Sequence, residues 1–318
     1  MGASSVVNSL AGKIVLVTGA TGFIGRHLVD RLRMIPGISL ILLSRSSKSD
    51  FAPEAAWVTS ALDRLTRNTW LDHGIDRIDV IFHFGAYTPK KSSEGNEVDE
   101  VYHDNLIGTR ALLESLPCTP ERFVFSSTLD VYSTSEASQI LTEESRLSPA
   151  SLYGASKVFC EHLVRVYAEK LGYAYAILRF GHIYGPGEGA YVKLIPQVIR
   201  SMLKHESPVI YGDGSAQRDF MFVDDAVEAA MRAATAISRQ VGPLNVVSGQ
   251  SRSIREFVEV LSRVSGFSGK IEYQAEKPNG VSLMLSAKKM FDVLGQWELC
   301  ALEDGLRQEV NYFRSGDD

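Results

Sequence analysis

The chain has 318 residues, 45% of them hydrophobic and 22% charged, with a formal net charge of −5. That length supports one large domain or two interlocked ones around a substantial core. The mild acidity gives no electrostatic footing for a nucleic-acid or membrane partner, and no apolar run approaches the ~18 to 20 residues of a membrane span.

The first residues lack the basic start and apolar core of a signal peptide. Gly2 with Ser5 falls one residue off the N-myristoylation pattern, so no lipid is expected. Cys118, Cys160 and Cys300 form no C-x-x-C and no even set. They read as reduced, mostly buried thiols of a cytoplasmic protein, with no metal site.

In chain order, the apolar run 14–17 reads as a fully buried strand. Gly19, Gly22 and Gly25 follow in G-x-x-G-x-x-G spacing, then a helix with Ile24, Leu28 and Leu32 on one face. Gly19 permits a tight turn, Gly22 lets a pyrophosphate approach the main chain, and Gly25 lets helix and strand pack closely. The helix N-terminus, with Phe23 and Ile24 in its first turn, offers unpaired N–H groups to an anion. A strand before such glycines and an amphipathic helix after them are the context a dinucleotide site requires.

Further strands are predicted at 38–43, 57–59, 79–84, from 123 into the hydroxyl cluster Ser126-Ser127-Thr128, and at 174–180. Helices are predicted at 99–116 and from Ser151 to Gly172, the latter capped at both ends. This alternation predicts an α/β doubly wound parallel sheet. Beyond a glycine-rich loop at 181–189 the pattern turns irregular. A helix is expected at 192–204, strands near 209–212 and 244–247, a strand–helix unit at 220–234, and short helices around a strand at 270–273. The expected organisation is a dinucleotide-binding domain of residues 11–180 plus about 217–250. A smaller substrate lobe of about 181–216 plus 251–318 completes it.

At the end of the second strand, a carboxylate would bind the ribose 2′-hydroxyl and an arginine would accommodate a 2′-phosphate. Ser44 and Arg45 stand there, which favours NADP while leaving NAD open.

Y-x-x-x-K occurs at Tyr87…Lys91, Tyr153…Lys157 and Tyr273…Lys277. Only a helix brings residues four apart side by side. Pro89 interrupts the first pair, and the third runs from a strand into Pro278. Tyr153 and Lys157 alone lie in a convincing helix, following Thr128 at a strand's carboxyl end, where open α/β sheets bind ligands. An ammonium and an oxidised nicotinamide nearby would lower the phenol below its usual pKa of about 10. Tyr153 would then exchange a proton with a substrate oxygen that Thr128 also binds.

Seven stretches together resemble the extended short-chain dehydrogenase/reductase family, in its NAD-dependent epimerase/dehydratase group. They are TGATGFIG (18–25), HFGA (83–86), NLIGT (105–109), FSSTLDVYS (125–133), YGASK (153–157), LRFGHIYGPG (178–187) and RDFMFVDD (218–225). The resemblance spans nearly the whole chain. It implies that Tyr153 is the acid/base, that Lys157 binds the nicotinamide ribose, and that Thr128 fills the Ser/Thr position. It further implies that Asn105 supports the site, Asp63 meets the adenine, and Arg218 binds a sugar-nucleotide diphosphate by charge-assisted bonding. A homodimer through the helices at 99–116 and 151–171 is implied as well.

Departures are visible. Dehydratases of this group carry acids after the Thr; here Leu129 takes the first place and Asp130 the second. His182 stands where many epimerases have Asn, and is a candidate substrate contact or proton donor. Near Pro278 a second diphosphate arginine is not apparent, since PNGVSLMLS (278–286) contains none. The expected activity is an NADP-dependent reductase of a nucleotide-bound 4-keto-6-deoxysugar, with a sugar-nucleotide epimerase as alternative and a 4,6-dehydratase third.

Overall fold

Val15 and Val17 point into one hydrophobic cluster and Leu16 into another, so the first strand is buried on both faces. This is why its sequence is a continuous apolar run rather than an alternating one. The computed structural model describes residues 3–46, 50–91, 94–133 and 140–316, with the side chains of 3–5 left aside. Gly2, considered for lipidation, lies outside the described residues.

The chain begins with a helix that periodicity did not predict, α1 (Ala3–Leu10), followed by β1 (Ile14–Thr18), α2 (Phe23–Leu32), β2 (Ser39–Ser44) and β3 (Ala56–Thr59). Next come α3 (Arg67–Leu71), β4 (Val80–His83), α4 (Val98–Glu100), a π-helical stretch (Val101–Ile107) and α5 (Gly108–Ser115). Then follow β5 (Arg122–Thr128), β6 (Ile140–Leu141), α6 (Leu152–Leu171), β7 (Ala174–Phe180), β8 (His182–Tyr184), α7 (Leu194–Leu203) and β9 (Val209–Tyr211). The rest is β10 (Gln217–Phe222), α8 (Val223–Ala234), β11 (Gln240–Val246), β12 (Ser251–Ser253), α9 (Ile254–Ser265), β13 (Glu272–Gln274), β14 (Met284–Leu285), α10 (Lys288–Leu294) and α11 (Leu302–Ser315).

Seven strands form one parallel sheet in the order β11-β7-β5-β4-β1-β2-β3. This Rossmann-like α/β fold is the one the alternation predicted. Strand order reverses between β1 and β4, and the crevice outside that switch point is where such sheets bind ligands. Three small sheets accompany it: β12-β10-β8, β13-β9 and β14-β6.

The capping of α6 is as expected: Ser151 Oγ accepts from Gly154 N at 3.1 Å, and Gly172 closes the helix with φ +76°. The helix predicted at 99–116 is a rod of three segments, and its centre winds as a π-helix. Asn105, whose tertiary bonds are described below, lies in that winding, which side-chain periodicity does not register.

Candidate active site

Gly22 caps α2 with no side chain, leaving the N–H groups of the first turn open to an anion. A Cβ on Gly25 would sit 2.0 Å from the Gly19 carbonyl oxygen. One on Gly19, whose φ is +70°, would sit 2.7 Å from Gly85 N. This backbone cradle at the switch point fits a dinucleotide pyrophosphate. Phe23 and Ile24 contribute to it through the main chain, since their side chains pack on the core.

At the neighbouring strand end, Ser44 is half-buried and Arg45 is exposed. The Arg45 guanidinium pairs with Asp104 at 3.5 Å, and Asp63 pairs with His103 at 3.4 Å. Adjacent residues of the π stretch therefore engage both candidate adenosine contacts. Asp104 and His103 carry no motif of their own, and their role was not legible in the sequence.

Thr128 ends β5. Its hydroxyl donates to Asp130 Oδ2 at 3.3 Å and accepts from Asp130 N at 3.2 Å. The Tyr153 hydroxyl is within hydrogen-bonding reach of Thr88 and Thr128. Lys157, one turn along α6, donates to the Ser126 carbonyl at 2.8 Å, and its ammonium lies 5.9 Å from the Tyr153 ring centre. Burial pulls the Lys157 pKa down to about 8. The phenol departs from expectation. Burial first, then the Asp130 carboxylate, push the Tyr153 pKa up, and the hydroxyl contacts offset this only in part. An ammonium that is itself desolvated and turned to a carbonyl does not acidify the tyrosine on its own.

Asn105 locks the surrounding loop. Its amide accepts from Tyr87 N at 2.7 Å and donates to the Tyr87 carbonyl at 3.2 Å and to Ser156 Oγ at 3.1 Å. Buried His83 bridges Thr18 Oγ1 (2.7 Å) and Thr109 Oγ1 (3.0 Å), and burial lowers its pKa to about 3, so it is neutral. The rival tyrosines do otherwise. Tyr87 donates to the Glu94 carbonyl in a loop, and Tyr273 lies in β13 under Arg255.

On the other side of the cleft, His182 packs edge-on against Phe220, and its Nδ1 is buried without a hydrogen-bond partner. Burial, with Arg218 and Lys193 nearby, lowers its pKa to about 3. The Arg218 guanidinium donates to the carbonyls of Gln217 and Val281. Among the described residues it bonds carbonyls rather than an aspartate. Arg218 and Lys193 thus make the surroundings of the neutral His182 electropositive, and Lys193 also faces Asp130.

A buried network that sequence reasoning missed supports the end of β5. Arg179 makes two bonds to Glu161 (2.9 and 2.8 Å), which accepts from Ser127 Oγ at 2.6 Å. Tyr132 accepts from Arg179 at 3.0 Å and donates to Asn245 at 2.5 Å. No cluster of three or more potential metal ligands occurs among the described residues, and none of their helices is long and apolar enough to cross a membrane.

A doubly wound parallel sheet with a glycine cradle at its switch point, beside a buried Tyr–Lys pair, places the chain in the Rossmann-like α/β class. The chain belongs to the NAD dependent epimerase/dehydratase family, whose model matches residues 15–247. A Bacillus subtilis protein described as an uncharacterized UDP-glucose epimerase, YtcB, is 30% identical over 95% of this chain and 98% of its own. The solved structure of Thermotoga maritima UDP-glucose 4-epimerase with UDP-glucose is 27% identical, covers 96% of this chain and 100% of that one, and gives a TM-score of 0.82. MoeE5 in complex with UDP-glucose and NAD is 28% identical over 96% of this chain and 99% of that one, with a TM-score of 0.80.

Proposed function

We propose that this chain is a 4-epimerase of a UDP-sugar that retains NAD. The observation that carries the choice over an NADP-dependent reductase is the pairing of Arg45 with Asp104. A 2′-phosphate would have to approach that carboxylate, whereas a 2′-hydroxyl would not. Similarity to UDP-glucose epimerases, and to a neighbour whose structure contains NAD, supports the same reading.

When bound, NAD would supply the hydride acceptor and donor for the sugar C4. The chain supplies the rest. The glycine cradle and first turn of α2 hold the pyrophosphate, and Ser44 and Asp63 face the adenosine. Lys157 holds the nicotinamide ribose. Tyr153 passes a proton to and from the C4 oxygen, which Thr128 and Thr88 orient. His182 and Arg218, with Lys193, take the sugar-nucleotide diphosphate. Residues 11–180 plus 217–250 carry the cofactor side, and 181–216 plus 251–318 the sugar side. Free thiols at all three cysteines accord with a cytoplasmic setting.

The test is to incubate UDP-glucose with the protein as purified, without added reductant. Formation of the C4 epimer with no net near-ultraviolet absorbance change supports the epimerase. The second reading, a keto-sugar reductase, rests on the 78% exposure of the Arg45 side chain, which can turn toward a 2′-phosphate. It requires steady NADPH consumption with a 4-keto-sugar nucleotide.

Leu152, Phe159 and Val166, spaced by seven along α6, are exposed at 42%, 52% and 58%. This apolar stripe supports a homodimer, and gel filtration at the monomer position would count against it.

A further inference from the structure

Glu188 lies in the loop after β8 and Glu309 on α11, and both are fully buried. If both were ionised, Glu188 Oε1 and both carboxyl oxygens of Glu309 would have no donor within reach. Lys193 Nζ lies 3.8 Å from Glu188 Oε2, and its half-exposed chain lies over the Tyr191 ring. Tyr184 on β8 and Tyr191 on the loop also face the pair, and neither is a cation. The Arg200 guanidinium on α7 lies nearby, donating to the Gly189 carbonyl and stacking over the Phe313 ring. Two buried carboxylates against one partly solvated ammonium leave an uncompensated charge, which is removed when one carboxyl keeps its proton and donates to the other.

The loop of residues 185–193 is fixed at several further points. The Pro186 carbonyl accepts from His27 Nε2 at 2.7 Å, and a Cβ on Gly187 would meet the Phe23 ring at 3.8 Å. Tyr191 packs edge-on to Phe23, and Val192 N donates to the Lys90 carbonyl at 2.9 Å. The loop therefore covers the first turn of α2, and Glu188 ties it to the C-terminal helix.

We propose that Glu188 and Glu309 share one proton, and that this proton fastens the loop over the glycine cradle, making Glu309 a positioning residue. The proposal rests on the reading of that cradle as the dinucleotide site. Burial holds both carboxyl pKa values up, Glu309 far above the usual carboxylate range. A raised folded-state pKa means that the contribution is complete below the unfolded value, about 4.3. It is lost as pH rises through the folded value, because opening releases the proton.

Glu309→Gln keeps the size and a hydrogen-bond donor toward Glu188 but cannot ionise. The measurements are thermal midpoint from pH 5 to 9, trypsin cleavage after Lys193, and the Kd of NAD for protein stripped of its dinucleotide. In the wild type, cleavage through the opened loop should accelerate by about tenfold per pH unit up to the pKa of the pair. The wild-type midpoint should fall relative to the variant, and the dinucleotide Kd should rise with pH. In Glu309→Gln all three should keep only the weaker pH dependence that His27, which also holds the loop, imparts. Parallel midpoint and cleavage profiles in the two proteins would overturn the proposal. So would failure of both Glu309→Gln and Glu188→Gln to fold at pH 6, since each amide replaces a protonated acid. If the two proteins separate in midpoint and cleavage but neither binds a dinucleotide, the cofactor reading fails and the shared proton stands.

Discussion

The Arg45 guanidinium at the end of β2 lies 3.5 Å from the Asp104 carboxylate in the π stretch. The pair is partly exposed, so its strength is in the surface range of about 0 to 1 kcal/mol. Asp104→Asn should therefore strengthen NADP binding by roughly two- to fivefold, the equivalent of that range, and leave NAD binding unchanged. Titration of each dinucleotide by protein fluorescence checks this. Equal strengthening of both would mean that Asp104 acts on the fold rather than on the 2′ position.

A carboxylate beside an acid/base phenol opposes its ionisation, and Asp130 occupies that place next to Thr128 and Tyr153. Asp130→Asn preserves shape and an acceptor for Thr128 while removing the charge. The limb of the kcat/KM profile that reports Tyr153 should move to lower pH, with kcat at the optimum changed by no more than a few fold. Near-complete loss of turnover would instead assign Asp130 a proton transfer of its own, as elimination chemistry demands. Tyr153→Phe should lower kcat by roughly 10²- to 10⁴-fold, the range for a lost general acid/base.

The sheet was legible because strands buried on both faces must be apolar throughout, as 14–17 and 174–180 are, and because Gly25 marks a helix–strand approach that a Cβ would block. Thr128, Tyr153 and Lys157 were legible because a helix four residues apart and a strand end are local facts. Thr88, Asp104 and Glu161 were not, since each acquires its meaning from a partner far along the chain: Tyr153, Arg45 and Arg179. The rise of the Tyr153 pKa in the absence of a nicotinamide was not legible for the same reason. Sequence spacing showed the nearby ammonium but neither the depth of burial nor the side chain of Asp130.

His27 links two regions that meet only in the fold. Nε2 donates to the Pro186 carbonyl at 2.7 Å and Nδ1 to Asp224 Oδ1 at 3.1 Å, so both ring nitrogens carry protons in this arrangement. Burial opposes that charge, but the bonds to Asp224 and Pro186 outweigh it and raise the pKa. With the folded value above the unfolded one, the imidazolium contributes fully below about pH 6.5 and is lost as pH rises through the folded pKa. The thermal midpoint of His27→Gln should therefore trail the wild type more at pH 6 than at pH 8.5. A constant gap across that range would assign His27 a packing role alone.

Arg179 and Glu161 are each 2% exposed, and the carboxylate also accepts from Ser127, the residue before Thr128. Removing one member of a buried pair leaves the other charged and unsolvated, at a cost of about 3 to 5 kcal/mol, whereas removing both relieves the charge. Arg179→Met should lower stability by about that amount in urea unfolding. The double change Arg179→Met, Glu161→Met should recover part of the loss, a non-additivity expected for residues in direct contact. The single variant should also lose turnover, because Ser127 then bonds a carboxylate with no fixed position and the Thr128 hydroxyl shifts with it. A loss in Arg179→Met under about 1 kcal/mol, well short of the buried-pair range, would place the support of β5 in the apolar packing of its two faces instead.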